Sequence, residues 1–511
     1  MSTTATDPSP SHDPARFAGK QWFGQPRGLF TLFMTEMWER FTYYGMRAIL
    51  LLFIVASVDQ GGLGLDDRTG TAIYGLYIAG TYLLSLAGGW IADRIIGAQR
   101  AVWYGGILIM AGNACLASGE THIFFLGLMI IVLGVGLLKP NISAIVAQLY
   151  PEGGSRRDAG FSIFYMGINL GAALGSFMVP EFKDWTIRET GNPRLGWSLA
   201  FAMPAFFMFL GLLQFHLTKK HLGTAGVQPG GAEHGRSSWT PVIIGVAALA
   251  FVVGLAISGT IKIDPVAVSK IASWAIGGGA LAYFAYLYFF AGLNADERKR
   301  VIVMLVLFTA CAMFWAGFEQ TGASLNLFAD RYTDRDVFGW QMSAGTLQTV
   351  NPTFIIIFAP VFAALWVMLG RRNLDPSSPT KFGLGLILMG VGFYVMYLAS
   401  QYVIAGDKVL PTWLILTYMF HTFGELCLSP VGLSSFSKLA PARFVGQALG
   451  VWFLATALGN NVAGQLAGEF DANNLPAMPG QFLFIFWWGV IAGGVLLLLT
   501  PLLKRLMTGV R

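Results

Sequence analysis

Charge is scarce in this chain of 511 residues. Asp, Glu, Lys and Arg make up 12% of the residues, whereas soluble proteins usually contain about 25%. Hydrophobic residues make up 55%, so the chain cannot cover a water-facing surface. Its net charge of +6 is spread over short clusters, without a basic tract or a groove-sized patch. The composition excludes a soluble globular protein and a nucleic-acid-binding protein, and it indicates that lipid is the main solvent.

Cysteines and catalytic motifs are also rare. The three cysteines, Cys115, Cys311 and Cys427, lie within apolar runs and lack the spacing of metal ligands. Packing as small hydrophobic residues explains them better than a disulfide or a metal site. The sequence contains no His-Glu-x-x-His, no Gly-x-Ser-x-Gly and no phosphate-binding loop. We therefore expect no metal, no organic cofactor and no enzyme, such as a lipid-linked transferase.

Long apolar segments are abundant. A membrane-spanning helix needs about 20 mostly apolar residues, and fourteen segments of the chain qualify. The sequence therefore predicts an all-α polytopic membrane protein. The predicted spans are 29–56, 70–94, 101–118, 122–148, 160–180, 196–217, 240–259, 268–292, 301–328, 343–369, 382–403, 411–436, 445–468 and 481–503.

The order of spans and loops predicts the domain organisation. An even number of spans puts both ends of the chain on one side, and the excess of Lys and Arg in the loops there marks that side as cytoplasmic. The longest polar connection follows the sixth span, and six spans remain after residue 300, so we predict two six-helix bundles around a central site. The predicted parts are a cytoplasmic tail 1–28 without features of a signal peptide, an amino-terminal bundle 29–217, a flexible cytoplasmic linker 218–239, an inserted hairpin 240–292, a carboxy-terminal bundle 300–503 and a cytoplasmic tail 504–511.

The first span carries charge where lipid disfavours it. An ionised side chain in the middle of a bilayer costs roughly 2.5 kcal/mol or more, so it must face a cavity or a partner. Six polar residues of this span have the spacing of one stripe on an α-helix. We predict that the stripe lines water or a binding site, and a static salt-bridged seam is the alternative. The six are Glu36, Glu39, Arg40, Tyr43, Tyr44 and Arg47.

Other spans are interrupted by single polar residues. Lys139 precedes a proline that favours a bend in the fourth span, and a lysine that reaches the membrane interface is the alternative. Glu319 and Glu425 are acids within apolar runs, for which a structural hydrogen-bonded role is the alternative. Asn169 and Asn351 also lie in such runs, where an asparagine more often joins helices than binds a ligand. Because acids and bases nearly balance, we expect a shared polar interior with exchangeable pairs.

Three motifs point to a family. Residues 36–45 read Glu-Met-Trp-Glu-Arg-Phe-Thr-Tyr-Tyr-Gly, which resembles the E-x-x-E-R-F-x-Y-Y-G signature of proton-dependent oligopeptide transporters. Residues 164–171 are similar to that family's second signature, F-Y-x-x-I-N-x-G. The loop 88–100 resembles the Gly-x-x-x-Asp-Arg loop of the major facilitator superfamily, of which this family is a branch. Prokaryotic members also carry two extra helices between the bundles, as predicted for 240–292.

The resemblance implies a major facilitator fold and symport of di- and tripeptides with protons by alternating access. Arg47 and Lys139 would bind the peptide carboxylate through charge-assisted hydrogen bonds. Glu425, helped by Asn169 and Asn351, would bind the peptide ammonium. For each single aromatic candidate, plain packing is the alternative. The other substrate-binding candidates are Tyr43, Tyr44, Tyr82, Trp315, Trp452 and Thr456, and the proton-coupling candidates are Glu36, Glu39, Arg40 and Glu319.

Proton coupling requires a group whose proton affinity changes with conformation. A carboxyl group in a low dielectric favours its neutral form unless a cation pairs with it. A substrate carboxylate that competes for the cations would release an acid to take up or lose a proton. The expected pairs are Glu319 with Arg47, and Glu36 and Glu39 with Arg40 and Lys139.

Two positions depart from the family pattern. Animal members use a histidine in the second span, which this chain lacks, so its protons must be handled by carboxylates. Phe318 stands where some bacterial members carry a second acid, which leaves Glu319 alone. His421 lies one turn before Glu425, and a packing role is the preferred interpretation.

Other functions and partners follow from the same residues. A carrier of nitrate or other organic anions in the same family is the alternative function, disfavoured because the first-span glutamates are retained. A channel would need a repeated pore-lining element, which is not visible. We expect small peptides and protons as partners, no nucleic acid, a functional monomer, and a location in the bacterial inner membrane with both ends in the cytoplasm.

Overall fold

The computed structural model describes residues 21–151, 154–227, 239–258, 260–470 and 475–507. This part of the chain is almost entirely helical, and two short strands, β1 (Asp336–Val337) and β2 (Trp340–Gln341), pair antiparallel. The helices are α1 (Arg27–Val55), α2 (Asp67–Ile91), α3 (Ala98–Leu116), α4 (Thr121–Gln148), α5 (Gly154–Thr190), α6 (Pro193–Thr218), α7 (Thr240–Ile257), α8 (Pro265–Phe289), α9 (Ala295–Phe318), α10 (Ser324–Arg331), α11 (Val350–Arg371), α12 (Ser378–Ile404), α13 (Thr412–Leu439), α14 (Val445–Gly468) and α15 (Met478–Leu506).

Fourteen of these helices are long enough to span a membrane. Each of them has at least 18 residues, the length of α7, whereas α10 has only 8 residues. By length and apolar composition together, the described residues contain 11 candidate spans. The helices outside that set are α1, α3 and α7, and α1 carries the charged stripe. Each predicted span overlaps one long helix in chain order, so the prediction of a polytopic all-α membrane protein is confirmed.

Contacts among the helices fall into two groups. In the first group, α1 packs against α5 and α6, while α4 packs against α2 and α3. In the second group, α12 packs against α13 and α15, and α9 contacts α12, α13, α14 and α15. The two groups meet chiefly through α2 with α14 and α5 with α11, and α8 of the predicted hairpin touches α2, α9 and α14. The domain boundaries themselves stay a prediction.

One glycine of the Gly-x-x-x-Asp-Arg loop sets the distance between α2 and α4. A Cβ at Gly88 would overlap the carbonyl oxygen of Gly136, so a larger residue would force the two helices apart. The chain then leaves α2 through a wide helical turn that contains Asp93.

The first part of the predicted linker packs against the amino-terminal helices. Leu222 is fully buried, and Gln99 Nε2 of α3 donates a hydrogen bond of 2.6 Å to the carbonyl of Ala225. Burial of an apolar side chain and backbone hydrogen bonding hold this segment against the amino-terminal helices. Residues 228–238 of the predicted linker lie outside the described ranges, as do most residues of the two predicted tails.

Candidate functional site

The charged stripe of α1 is buried. Glu36, Glu39 and Arg40 are each at most 4% exposed. Arg40 Nε lies 3.0 Å from Glu36 Oε1 and also pairs with Glu39 Oε2. Among the described residues, Glu36 Oε2 and Glu39 Oε1 have no hydrogen-bond partner. One guanidinium therefore faces two carboxylates, and such a buried site favours the addition of a proton or of a second cation.

Lys139 of α4 is the second cation near this cluster. Its Nζ lies 3.7 Å from the centre of the Tyr82 ring, a cation–π contact. Within the described ranges, no acid lies within the 4.0 Å of an ion pair with Lys139. The helix continues through Pro140 to its end at Gln148, so Lys139 lies well inside α4.

An ion pair joins the two helix groups at the other end of the stripe. Arg47 Nη2 of α1 lies 2.6 Å from Glu319 Oε2, and Arg47 Nε donates a hydrogen bond of 2.6 Å to the hydroxyl of Tyr74. Glu319 begins the turn Glu319–Gly322, which follows α9. A Cβ at Gly322 would overlap the Tyr74 hydroxyl, so this close approach requires glycine. Arg47, Glu319 and Tyr74 are all buried.

Glu425 of α13 is paired with an amide. Asn351 Nδ2 donates hydrogen bonds to Glu425 Oε2 at 3.1 Å and to Thr422 Oγ1 at 3.0 Å. Asn351 stands at the beginning of α11, so these bonds connect α11 with α13. No cation of the described residues pairs with Glu425 within 4.0 Å. A carboxyl group with this surrounding can accept an ammonium ligand.

The two tyrosines of the stripe cover its cations. Tyr43 and Tyr44 meet edge to face with ring centres 5.2 Å apart. Arg40 Cζ lies 5.3 Å from the Tyr43 ring centre, and Arg47 Cζ lies 5.6 Å from that of Tyr44. Aromatic faces stabilise guanidinium groups at such distances, and more strongly where water is excluded. The structure thus brings all six residues of the stripe into one connected cluster.

Trp452 and Thr456 of α14 make their recorded contacts away from that cluster. Trp452 is 6% exposed and packs edge-on against Phe436 and Phe382, with ring centres 5.4 and 6.2 Å apart. Thr456 Oγ1 donates to the carbonyl of Trp452 at 3.3 Å, within the same helix. These contacts agree with the packing alternative, and a substrate role for the two residues stays a prediction.

Trp315 and Asn169 also make local contacts. The Trp315 ring meets Phe318 edge to face at 5.2 Å, and its Nε1 has no hydrogen-bond partner among the described residues. Asn169 Nδ2 donates to the carbonyl of Tyr165 at 2.9 Å, one turn earlier in α5. Asn169 is therefore not joined to Glu425 by a recorded hydrogen bond, unlike Asn351.

His421 lies in an aromatic environment. It is 1% exposed, and its ring centre lies 5.0 Å from that of Phe393 and 6.2 Å from that of Phe318. These contacts fit the packing role that was preferred for it.

Several site candidates border an accessible interior. Tyr82, Lys139, Asn351 and Glu425 are half-buried although they lie inside long helices. A charged side chain in a membrane-spanning helix faces the bundle interior or a water-filled cavity, because contact with lipid is costly. Partial exposure of Lys139 and Glu425 inside long helices therefore agrees with the predicted polar interior.

The two helix groups also meet near the end of α1 and the beginning of α2, on the membrane side opposite to the beginning of α1. Arg331 at the end of α10 donates two hydrogen bonds, each 2.6 Å long, to the two carboxylate oxygens of Asp67 at the beginning of α2. Glu181 Oε1 of α5 accepts hydrogen bonds of 2.7 Å from the Ser343 backbone and from the Thr346 hydroxyl. These polar contacts join the groups on one side of the charged interior.

Sequence reasoning missed Tyr74 and Thr422. Tyr74 lies two helical turns before Tyr82 on α2, and this spacing on a helix face was an available signal. Thr422 carries no comparable signal, because its side chain also bonds to the Tyr418 carbonyl one turn earlier, as threonines in helices commonly do.

The fold and the site define a polytopic helical membrane protein with a charged interior between two helix groups, the architecture of a carrier. Residues 99–479 match the model of the POT family. Because this match covers more than half of the chain, the protein belongs to the POT family, and the resemblance drawn from its signatures is confirmed.

Relatives along the whole chain agree with this assignment. The protein is 40% identical over 504 residues to the peptide transporter YePEPT of Yersinia enterocolitica subsp. palearctica serotype O:3 (strain YE-P4), and the match covers 96% of each chain. It is 35% identical over 509 residues to a di-/tripeptide transporter of Lactococcus lactis subsp. lactis (strain IL1403), covering 96% of this chain and 98% of that one.

Solved structures show the same fold. A peptide transporter POT in complex with sulfate superposes with a TM-score of 0.87 at 42% identity, covering 98% of this chain and 100% of that one. A POT family transporter in complex with 5-aminolevulinic acid superposes with a TM-score of 0.84 at 33% identity, covering 95% of this chain and 98% of that one. The prediction of a major facilitator fold is thereby confirmed.

Proposed function

We propose that this protein is a symporter that takes up di- and tripeptides together with protons by alternating access. The observation that carries the proposal is the buried ion pair between Arg47 of α1 and Glu319 at the end of α9. A peptide carboxylate that binds Arg47 competes with Glu319 for the same guanidinium. Binding of substrate, loss of a contact between the helix groups and release of an acid are thus linked at one residue.

Peptide recognition rests on two charged ends of the polar interior. Arg47 and Lys139 bind the peptide carboxylate, and Glu425 binds the ammonium group with help from Asn351 and Asn169. The Asn351–Glu425 hydrogen bond supports this assignment, because it orients the carboxylate that an ammonium would approach. Relatives named as peptide transporters support the substrate class, and so does a family member that holds 5-aminolevulinic acid, a molecule with one amine and one carboxylate.

Proton coupling rests on the acids of the stripe and on Glu319. Glu36 and Glu39 share the single guanidinium of Arg40, so one of the two acids gains from binding a proton. Lys139, which we also assign to the substrate carboxylate, would pair with these acids when no substrate is bound. A carboxylate ligand that draws Lys139 away would therefore favour protonation of the cluster.

Alternating access needs contacts between the helix groups that open and close. The Asp67–Arg331 pair and the hydrogen bonds of Glu181 are such contacts at the helix ends opposite to the beginning of α1. We place the protein in the bacterial inner membrane with both ends in the cytoplasm, acting as a monomer without an organic cofactor or a metal. The excess of Lys and Arg in the loops on the terminal side supports this orientation.

Uptake into proteoliposomes tests the proposal. Purified full-length protein is reconstituted, and uptake of labelled di-alanine is measured with an inward proton gradient, without a gradient, and with a gradient collapsed by a protonophore. We expect accumulation above the external concentration only with the gradient. Equal uptake in all three conditions would exclude symport, and nitrate that competes with di-alanine at equal concentration would favour the anion-carrier alternative.

A further inference from the structure

An apolar groove on the outer face of the carboxy-terminal helices is separate from the charged interior. It has a volume of about 670 Å³ and lies between α9, α12 and α15. Leu305, Thr309 and Met313 of α9 form one wall, and Trp487 and Leu499 of α15 form the other. Pockets that hold small ligands usually have volumes of about 300–1,000 Å³, so the groove is large enough for a defined ligand.

Two cations extend the groove-lining face of α9 towards the beginning of the helix. Arg298 and Lys299 lie seven residues before Leu305 and Val306, which both line the groove. Seven residues make about two turns and a rise of about 10 Å, so the two cations stand on the groove side of α9 beyond the end of the apolar wall. Arg298 is exposed, and the Lys299 side chain is 43% exposed.

Neighbouring acids offset only part of the positive charge at this end of α9. Lys299 Nζ contacts Asp296 at 2.9 Å, but the carboxylate is 56% exposed, and a surface ion pair of this kind contributes little. The carboxylate of Glu297 instead accepts a hydrogen bond from the Asn294 backbone, which caps α9. The Arg298 guanidinium carbon lies 6.0 Å from the ring centre of Tyr288 in α8, and the residue remains exposed to solvent.

The wall formed by α15 ends at the same membrane side. Leu499 lines the groove, and α15 ends seven residues later at Leu506, with Lys504 and Arg505 exposed. Arg505 lies about five turns after the groove-lining Trp487 and shares its helix face, whereas Lys504 points to the opposite side, and both add to the positive field at this end of the groove. A site with an apolar body inside the membrane and cations at its mouth complements an amphiphilic anion.

We infer that this groove binds one acyl chain of an anionic phospholipid whose phosphate is held by Arg298 and Lys299. The chain packs against Leu305, Thr309 and Trp487, where it replaces less ordered lipid. The two cations attract the anionic head group, because each Lys or Arg near an anionic membrane surface strengthens association by about 5-fold. A zwitterionic phospholipid with identical chains lacks the net charge, so the site prefers phosphatidylglycerol to phosphatidylethanolamine.

Native mass spectrometry of the delipidated full-length protein tests the inference. Equal amounts of 1-palmitoyl-2-oleoyl phosphatidylglycerol and phosphatidylethanolamine are added, and the first bound lipid is identified. We expect a preference for phosphatidylglycerol of about 10-fold or more, as two cations should provide. The double variant Arg298→Gln/Lys299→Gln is expected to reduce that preference to about 2-fold or less.

A matched variant controls for total charge. Arg371→Gln/Arg372→Gln removes two exposed cations from the end of α11, which does not line the groove, and it should keep the wild-type preference. A second pair of variants controls for shape. Thr309→Trp fills the groove and should lower binding of both lipids, whereas Val361→Trp adds the same side chain to an exposed position of α11 and should not.

Several results would overturn the inference. These are equal binding of the two lipids by the wild type, an unchanged preference in Arg298→Gln/Lys299→Gln, or equal losses in both charge variants. A dimer that disappears in Thr309→Trp would instead assign the groove to a second copy of the chain. The elution profile and far-UV circular dichroism of each variant show whether it is folded. If the double variant Arg298→Gln/Lys299→Gln is misfolded, the single variants Arg298→Gln and Lys299→Gln are measured instead.

Discussion

Arg331 holds the carboxylate of Asp67 with two parallel hydrogen bonds of 2.6 Å, and so joins the end of α10 to the beginning of α2. The two side chains are 26% and 20% exposed, so water screens the pair only partly. A bidentate contact between guanidinium and carboxylate has the geometry in which such pairs are strongest. It fastens the two helix groups on one side of the charged interior.

Asp67→Asn should therefore weaken the contact between the two helix groups at the Arg331–Asp67 pair. Loss of one charged partner removes about 1–3 kcal/mol from the closed arrangement. A cysteine introduced at the buried Gln348 should then react faster with a water-soluble maleimide, by about 5-fold or more. Glu469→Gln breaks the exposed Arg68–Glu469 contact of 3.5 Å and should leave the rate unchanged. Equal rates in wild type and Asp67→Asn would show that this pair does not hold the side closed.

Gly322→Ala should destabilise the protein. Its Cβ would overlap the Tyr74 hydroxyl beside Arg47, and such overpacking typically costs about 1–3 kcal/mol. The unfolding temperature in detergent should fall, and Tyr74→Phe in the same chain should restore part of the loss. Gly494→Ala, at a position with open space around it, is the control and should unfold like the wild type. An unchanged unfolding temperature for Gly322→Ala would contradict the close approach.

Tyr82→Leu should weaken binding of di-alanine, because Lys139 loses the aromatic face that positions its ammonium group. A cation–π contact provides about 0.5–2 kcal/mol, so KM should rise by about 2- to 30-fold. Tyr82→Phe keeps the ring, so its KM should stay close to that of the wild type. The KM of Tyr104→Leu, at an exposed position of α3, should also be unchanged. A similar rise in KM for Tyr82→Phe would indicate that the hydroxyl, and not the ring face, is needed.

Glu425→Gln should remove the selectivity for a free amino terminus. Competition by di-alanine and by N-acetyl-di-alanine is compared, because acetylation removes the ammonium that Glu425 would bind. The wild type should prefer the free peptide by about 10-fold or more, and the variant should lose most of this preference. Thr422→Val removes only the second hydrogen-bond partner of Asn351, and this variant should retain the preference for the free peptide. A variant with undiminished selectivity would place the ammonium elsewhere.

Glu36→Gln and Glu39→Gln should separate transport from proton coupling. A neutral amide cannot release a proton when Arg40 or Lys139 changes partner, so neither variant should accumulate di-alanine against its gradient. Counterflow of di-alanine, which needs no net proton movement, should continue. Glu120→Gln alters an exposed acid before α4 and serves as the control. If both stripe variants still concentrate the peptide, the coupling acids lie elsewhere.

The sequence predicted the fold closely and the site partly. Spans of about 20 apolar residues are a local property, so the fourteen helices could be located from composition alone. The stripe on α1 was visible because one helix repeats its faces every 3.6 residues. In contrast, the packing of the turn around Leu222 depends on contacts with α3 and α4, which no local sequence pattern predicts.

Individual site contacts depended on neighbours from distant parts of the chain. Asn351 and Asn169 are the same residue type in similar apolar runs, yet only Asn351 has a recorded hydrogen bond to Glu425. Which amide faces the acid follows from how α11 meets α13, and no local pattern encodes that. The aromatic candidates divide in the same way, because Tyr43 and Tyr44 cover cations while Trp452 packs against Phe436.

The sequence by itself determined that the chain spans a membrane many times and that charge lies inside it, because the scarcity of charge and the long apolar segments leave lipid as the solvent. It also determined the family, through signatures that run along single helices. Only the tertiary structure decided which charges meet. Arg47 reaches Glu319 across 272 residues of chain, and the Arg331–Asp67 pair closes one side, because helix packing brings together side chains that no sequence spacing relates.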